Sequence, residues 1–395
     1  MRGLNSNLRA RVEKPWLVGA TVLAAYGLLT AAVVVRHDVR EFIHVGSRFA
    51  RQSTASAEIS AAARFPGVTE IGYDGQFAYY IAVDPLNARF YLDDPPYRYA
   101  RIGYPLAARA LALGRPSLIP YTMLLINLAA VAGGSWAIAA ALARSGHLPW
   151  LALVYGFFPG LVNAYLNDVN EPMAYALAAA GVLALGAGGL GALVAGAALF
   201  GLAGLTRDQA ALFPIAYIGA ALASRLRSNL LLQRAAVLFG LGVLPIALFR
   251  LWLATWPVAA TQHPELASAP FGGLLSIRPF LAAQYLEVLG LVLPGLACVV
   301  AASFALWRRR LDGAVLALVL NALVSDVFLQ RSSWFGYFDA GRISTGVVLA
   351  ALLAVPAIAA AGLRPRRWLA PAAVLWFTVV PLGLAAPHTF HVFKF

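Results

Sequence analysis

Runs of roughly 20 apolar residues recur from one end of the chain to the other, the length a helix needs to cross about 30 Å of hydrocarbon. The first, Trp16 to Val35, follows Arg2, Arg9, Arg11 and Lys14 and so resembles a signal sequence by charge. It is as long as a full span and lacks a small-x-small cleavage site before Arg36, which predicts a retained helix with its basic flank in the cytoplasm. Later runs predict spans near 117–142, 148–166, 172–187, 189–205, 209–223, 235–254, 284–306, 312–329, 343–362 and 369–386. That makes about eleven transmembrane helices, with the N-terminus inside and the C-terminus outside.

One division rests on charge. Residues 173–205 are too many for one untilted helix and few for two, and Gly186, Gly188, Gly189 and Gly191 suit a turn between them. With that turn, Arg144, then Arg225, Arg227 and Arg234, then Arg308 to Arg310, then Arg364, Arg366 and Arg367 all mark cytoplasmic ends. Without it the last three clusters would face outward, against the positive-inside rule for short loops.

Composition agrees with lipid as the solvent: 61% of the 395 residues are hydrophobic and 12% charged, against about 25% charged in soluble domains. The net charge of +13 is spread between apolar runs, with no aromatic-interleaved basic domain, so a nucleic-acid partner is not expected. Membrane lipids are the expected partners of such arginines. The single cysteine, Cys298, lies inside an apolar run, which excludes an intrachain disulfide and argues against a catalytic thiol. The six histidines hold no pair at zinc-helix spacing, and neither a Walker loop, a dinucleotide fingerprint nor a Gly-x-Ser-x-Gly elbow occurs. The predicted fold is an all-α polytopic membrane protein forming one transmembrane domain over 1–395, with a large external loop at 36–103 that contains short interfacial helices.

That loop is the only long polar segment, broken by Pro66, Pro85, Pro95 and Pro96, and loops of such length are usually functional. Charges within spans are few, namely Arg250, Glu287 and Asp326, whereas a secondary transporter would show polar groups near the midplane. Most others gather at outer ends of spans. In the run Gly72 to Pro85, Asp74 would start a helix whose Phe77, Tyr80 and Ile81 share one face, laying an aromatic-faced helix on the outer leaflet. A plain N-cap is the simpler role for Asp74. In Asp93 to Pro105, Arg98 and Arg101 alternate with tyrosines and suit a phosphate-bearing ligand, or else an aromatic belt with snorkelling arginines. Asn167 to Pro172 puts Asp168 and Glu171 at the start of a span, where acids favour the helix dipole. Thr206-Arg207-Asp208-Gln209 has the form of a capping box and also of an anion site. Arg331, Asp339 and Arg342 flank a last outer loop, where Arg342 would meet a phosphate or anchor the interface.

The runs Tyr73-Asp74-Gly75-Gln76-Phe77, Asp84-Pro85 and Tyr97-Arg98-Tyr99-Ala100-Arg101-Ile102-Gly103-Tyr104-Pro105 resemble the first-loop signature of GT-C superfamily glycosyltransferases. They are most similar to prokaryotic membrane proteins related to the second mannosyltransferase of glycosylphosphatidylinositol synthesis. Those enzymes place an acid just after the first span and take sugar from a polyprenyl-phosphate carrier, so the resemblance implies that role for Asp74. Gly204 to Gln209 resembles a second turn in which relatives carry arginine followed by glutamate; here Asp208 stands in the acid's place. The implied reaction is inverting transfer of a hexosyl or pentosyl group to a glycan, lipid or protein acceptor, with Asp74 as base and Arg98, Arg101, Arg207 and Arg342 as phosphate clamp. Tyr73, Gln76 and Asp208 are further substrate contacts. Asp84, Asp168 and Glu171 are candidates for acceptor binding or for a divalent cation, magnesium or manganese. A flippase or transporter for a lipid-linked glycan, with Arg250 and Glu287 at depth, is the main alternative, and a non-catalytic envelope scaffold the third. Arginine-rich usage hints at a GC-rich bacterium and hence a cytoplasmic membrane with the site on its external face.

Overall fold

The computed structural model describes residues 14–65, 68–223, 229–257 and 266–385. Arg2, Arg9, Arg11, Pro66, Arg225, Arg227, His263, His388 and His391 lie outside the described residues. Every regular element among the described residues is a helix, joined only by isolated bridges of Gly46 to Thr69 and Leu266 to Leu329. Six helices are long and apolar enough to cross a bilayer: Pro15–Val34, Pro116–Arg144, Gly189–Thr206, Asn229–Leu253, Ala282–Trp307 and Asp339–Ala360. The chain is an all-α, multi-pass membrane protein.

The expected count of eleven is not reached on this measure. Pro149–Gly156 and Pro159–Leu166 form one span only if taken together, for they bend by 52° where Pro159 removes a backbone donor and Phe158 turns extended. Glu171–Leu185, Asp208–Ala223 and Gly313–Val327 are shorter apolar helices, and the 15 residues of the first rise only about 22 Å. Pro365–Ala385 covers the last predicted position and carries Pro371 and Pro381 inside it. The turn expected within 173–205 is present: Glu171–Leu185 and Gly189–Thr206 pack as a hairpin, and Gly188 and Gly189 take positive φ between them.

The first loop folds as a layer of short helices, including Val39–Ile43, Ala57–Ala62, Gly75–Val83, Pro95–Tyr99 and Gly103–Leu111, around its own apolar core of Ile43, Tyr80, Tyr91, Tyr104 and Met123. Gly75–Val83 is buried at every position but Ala78, so it is an internal helix of this layer rather than an amphipathic one lying on the leaflet. Its sequence has almost no polar face to give to water. At Gly75 a Cβ would lie 2.3 Å from the Asn167 carbonyl oxygen, so the missing side chain lets the start of this helix, and with it Asp74, abut the 167–170 turn.

Candidate functional site

Asp74 occupies the N-cap position of Gly75–Val83 but makes no capping bond. Its carboxylate turns to two arginines instead. Oδ1 accepts from Arg98 Nη1 at 2.8 Å, and Oδ2 accepts from Arg342 Nη2. Arg98 is fixed from three sides. Pro95 starts its short helix with Asp94 as cap, Asp93 grips the guanidinium through two bonds of 2.8 and 2.7 Å, and the Phe77 ring lies 3.9 Å beneath it. Such forked contacts fix orientation as well as charge.

Arg342 comes from Tyr337–Ile343, on the far side of the chain in sequence. Beyond Asp74 it reaches Glu171 and Asp339, each at 3.4 Å, and stacks over Tyr73 at 5.1 Å. The Tyr73 hydroxyl donates to Asp339. Glu171, fully buried at the start of its helix, also takes Arg207 Nη1 at 2.7 Å, and Asn170 holds the Thr206 carbonyl at 2.6 Å, so the two short turns are tied together. Asp208 pairs with Arg250, which thereby leaves midspan isolation for the edge of the site. Thr206 Oγ1 donates back to Leu202 rather than capping, and the anticipated capping box does not form.

These side chains line a cavity of about 460 Å³ with Tyr73, Asp74, Arg98, Arg101, Arg207, Asp208, Asp339 and Arg342 on its polar wall and Leu212, Leu266, Val324 and Leu329 on its apolar wall. Four arginines and three carboxylates line it, and Asp93 on Arg98, Glu171 on Arg207 and Arg342, and Arg250 on Asp208 bring the cluster to five charges of each sign. Arg101 differs from the other three: it stacks on Tyr97 at 4.1 Å and binds that phenol, and has no carboxylate within ion-pair distance among the described residues. A second cavity of about 500 Å³ also borders Asp74 and is lined by Arg48, Phe49, Gln76 and Asp93 as well. The carboxylate therefore borders two cavities.

Burial alone would raise the Asp74 pKa, but Arg98, Arg342 and Arg101 outweigh it and hold the group well below the usual carboxylate range. It is ionised and, in this state, a weak base. Asp168 shows the reverse. Burial pushes it up, the Tyr104 and Asn127 hydrogen bonds pull it partly back, and it settles at about 7.

Of the residues singled out in the sequence, Tyr73, Asp74, Arg98, Arg101, Arg207, Asp208 and Arg342 meet in the first cavity. Glu171 stands directly behind Arg207 and Arg342 as their counter-charge. Gln76 borders the second cavity, yet its amide is a strut, accepting from Gly46 at 2.8 Å and donating to Ile71 at 2.9 Å. Asp84 accepts from Asn87 at 3.0 Å and lines neither cavity, and Asp168 is spent on Tyr104 and Asn127. These three placements, Asp84, Asp168 and Glu171, are separate, and each acid has its own partners, so they do not fit a divalent cation. Asp93, Gln209, Ser332 and Ser333 contribute without having been singled out. The paired bonds of Asp93 follow from Pro95 and Pro96 turning the chain, which sequence spacing alone does not announce. No protein-family model matches the chain, and no curated protein or solved structure matches it.

Proposed function

We propose that this protein is an inverting GT-C type glycosyltransferase that moves a sugar from a polyprenyl-phosphate carrier to a glycan, lipid or protein acceptor at the external face of a bacterial cytoplasmic membrane. The observation that carries the reading is the placement of Asp74 beside Arg101, an arginine in no ion pair among the described residues, in a cavity with one apolar wall. A sugar linked to a lipid through a phosphodiester carries one negative charge, which Arg101 is free to meet because it is in no ion pair among the described residues, and the leucine wall suits the lipid end. Nucleotide sugars are cytoplasmic, so an outward site needs a lipid-linked donor and no nucleotide-binding fold.

In this reading the donor phosphate occupies the arginine cavity and the acceptor arrives through the second one. The acceptor hydroxyl attacks the anomeric carbon as its proton passes to Asp74. The bond from that carbon to the phosphate oxygen breaks, and the electron pair leaves on the phosphate. Preorganised guanidinium groups stabilise the second negative charge that develops there. The low basicity of resting Asp74 is not an obstacle, because a phosphate bound to Arg98 and Arg342 puts negative charge beside the carboxylate, offsets part of their pull and raises its basicity when donor is present.

The test is transfer from a panel of radiolabelled polyprenyl-phosphate sugars by the purified protein beside Asp74→Asn. Transfer should fall by about 10²–10⁴-fold in the variant. Polyprenyl-phosphate binding should persist, because asparagine removes one negative charge from beside both arginines and leaves the arginines themselves in place. A folded variant with full transfer activity overturns the role of Asp74. Donor binding by the wild type without turnover favours the flippase reading instead.

A further inference from the structure

Three helices that border the Asp74 cavity, Asp208–Ala223, Gly313–Val327 and Asp339–Ala360, also border a third cavity, of about 530 Å³, at their opposite ends. Ile343 lines the first and Leu352 to Ala357 line the third, a separation of roughly 15 Å along one helix. Its volume falls within the roughly 300–1,000 Å³ of small-molecule sites. The wall is apolar, formed by Leu142, Leu183, Leu193 and Leu352, and two arginines stand on the rim. Arg144 is braced by one bond from Nη1 to the Leu183 carbonyl at 2.8 Å, which leaves other guanidinium N–H groups free to serve a ligand. Arg234 has no hydrogen-bond or ion-pair partner among the described residues and is exposed. The carboxylate on the lining, Asp312, gives an oxygen to the Ala314 N–H at 2.8 Å and caps its helix. Further out at the same ends lie exposed Arg308, Arg309, Arg310, Arg364, Arg366 and Arg367.

We infer that this cavity binds one anionic phospholipid from the leaflet at that end, with its phosphate on Arg144 and Arg234 and an acyl chain along the leucine wall. A soluble anion would satisfy the arginines and leave the leucines unfilled; a zwitterionic lipid would fill the wall but bring a cation to a rim that is already basic. Basic pockets between spans are suited to anionic head groups, and the surrounding arginines raise their local concentration. The inference uses no feature of the Asp74 site and stands or falls apart from the transferase reading.

Native mass spectrometry of the delipidated full chain, titrated separately with phosphatidylglycerol and phosphatidylcholine, tests it. Phosphatidylglycerol should be retained preferentially at one equivalent. Arg144→Gln and Arg234→Gln should each weaken its binding about fivefold, the worth of roughly one basic residue beside an anionic head group. Leu193→Trp, at a partly exposed position of the wall, fills it and keeps both arginines; it should remove the bound lipid, and it carries the test alone if an arginine variant fails to fold. Equal retention of the two lipids by the wild type overturns the proposal. So does unchanged phosphatidylglycerol binding in Leu193→Trp, and displacement of the lipid by equimolar inorganic phosphate would reassign the site to a soluble anion.

Discussion

Asp74 and Asp168 are both drawn out of bulk water, and their neighbours send them in opposite directions. Two arginines hold Asp74 ionised. Asp168 has only neutral donors, Tyr104 at 2.5 Å and Asn127 at 2.8 Å, and one of its oxygens is buried without a partner. Its pKa near 7 stands above the ordinary value of about 3.9, so between those limits the folded protein binds more protons than the unfolded chain. The stability it contributes is complete below about pH 4 and is lost as pH rises through 7, at up to ~1.4 kcal/mol per pH unit. An asparagine in its place cannot titrate, and asparagine tolerates the left-handed backbone found here at φ 48°. Thermal unfolding of Asp168→Asn should therefore move in the variant's favour relative to wild type between pH 5 and pH 8; a constant difference would mean the carboxyl does not titrate in that window. At this scale the sequence was readable where a charge had an apolar environment to explain. Asp74, Arg98 and Arg101 stood out in the one long polar loop, Arg207 and Arg342 at the ends of apolar runs, and the five converge. Asp84 looked equivalent and is not, because whether a carboxylate after a helix faces a cavity or a neighbouring Asn87 depends on a backbone turn that spacing does not encode.

Helices reach the site only because certain backbones touch. Pro159–Leu166 packs on Tyr337–Ile343, the helix that carries Asp339 and Arg342, and a Cβ at Gly160 would lie 2.0 Å from the Gly341 carbonyl oxygen. Backbone cannot yield to that as a flexible side chain would. Gly160→Ala should push the two helices apart, cost about 1–3 kcal/mol as overpacked cores do, and weaken polyprenyl-phosphate binding by moving Arg342. Gly133→Ala, where no atom lies within 4 Å of the added carbon, should leave both unchanged. Unaltered phosphate binding in a folded Gly160→Ala protein would show that Arg342 is not positioned through this contact. The same close packing explains why helix positions were legible and their roles as spans were not. Hydropathy runs mark where apolar helix occurs, and each predicted run does contain helix. They do not distinguish a helix that meets lipid along its length from one such as Glu171–Leu185, which is short and wedged among others, or from a run bent at Pro159. The first loop was harder still, since its layer is held by contacts between distant tyrosines rather than by a period within any one segment.

Two groups of arginines at opposite helix ends differ in their chemistry. Near Asp74 they are engaged: Arg98, Arg207 and Arg342 by carboxylates, Arg101 by a phenol, and Arg109 by the carbonyls of Ala82 and Val83. At the opposite helix ends Arg308, Arg309, Arg310, Arg364, Arg366 and Arg367 are exposed and form no ion pair among the described residues. Orientation follows basic residues in short loops beside spans, whereas long polar segments cross largely regardless of charge. In the proposed orientation the second population therefore marks the cytoplasmic side, and the Asp74 cavity faces out. Cysteine labelling can check this, since the native thiol Cys298 is buried and a Cys298→Ala background is silent. Ser332→Cys, exposed beside the cavity, should react with a membrane-impermeant maleimide added to intact spheroplasts, and Ser145→Cys only after permeabilisation. The reverse pattern would put Asp74 in the cytoplasm, where nucleotide sugars are at hand. The argument for a lipid-linked donor would then fail even if Asp74 remained essential.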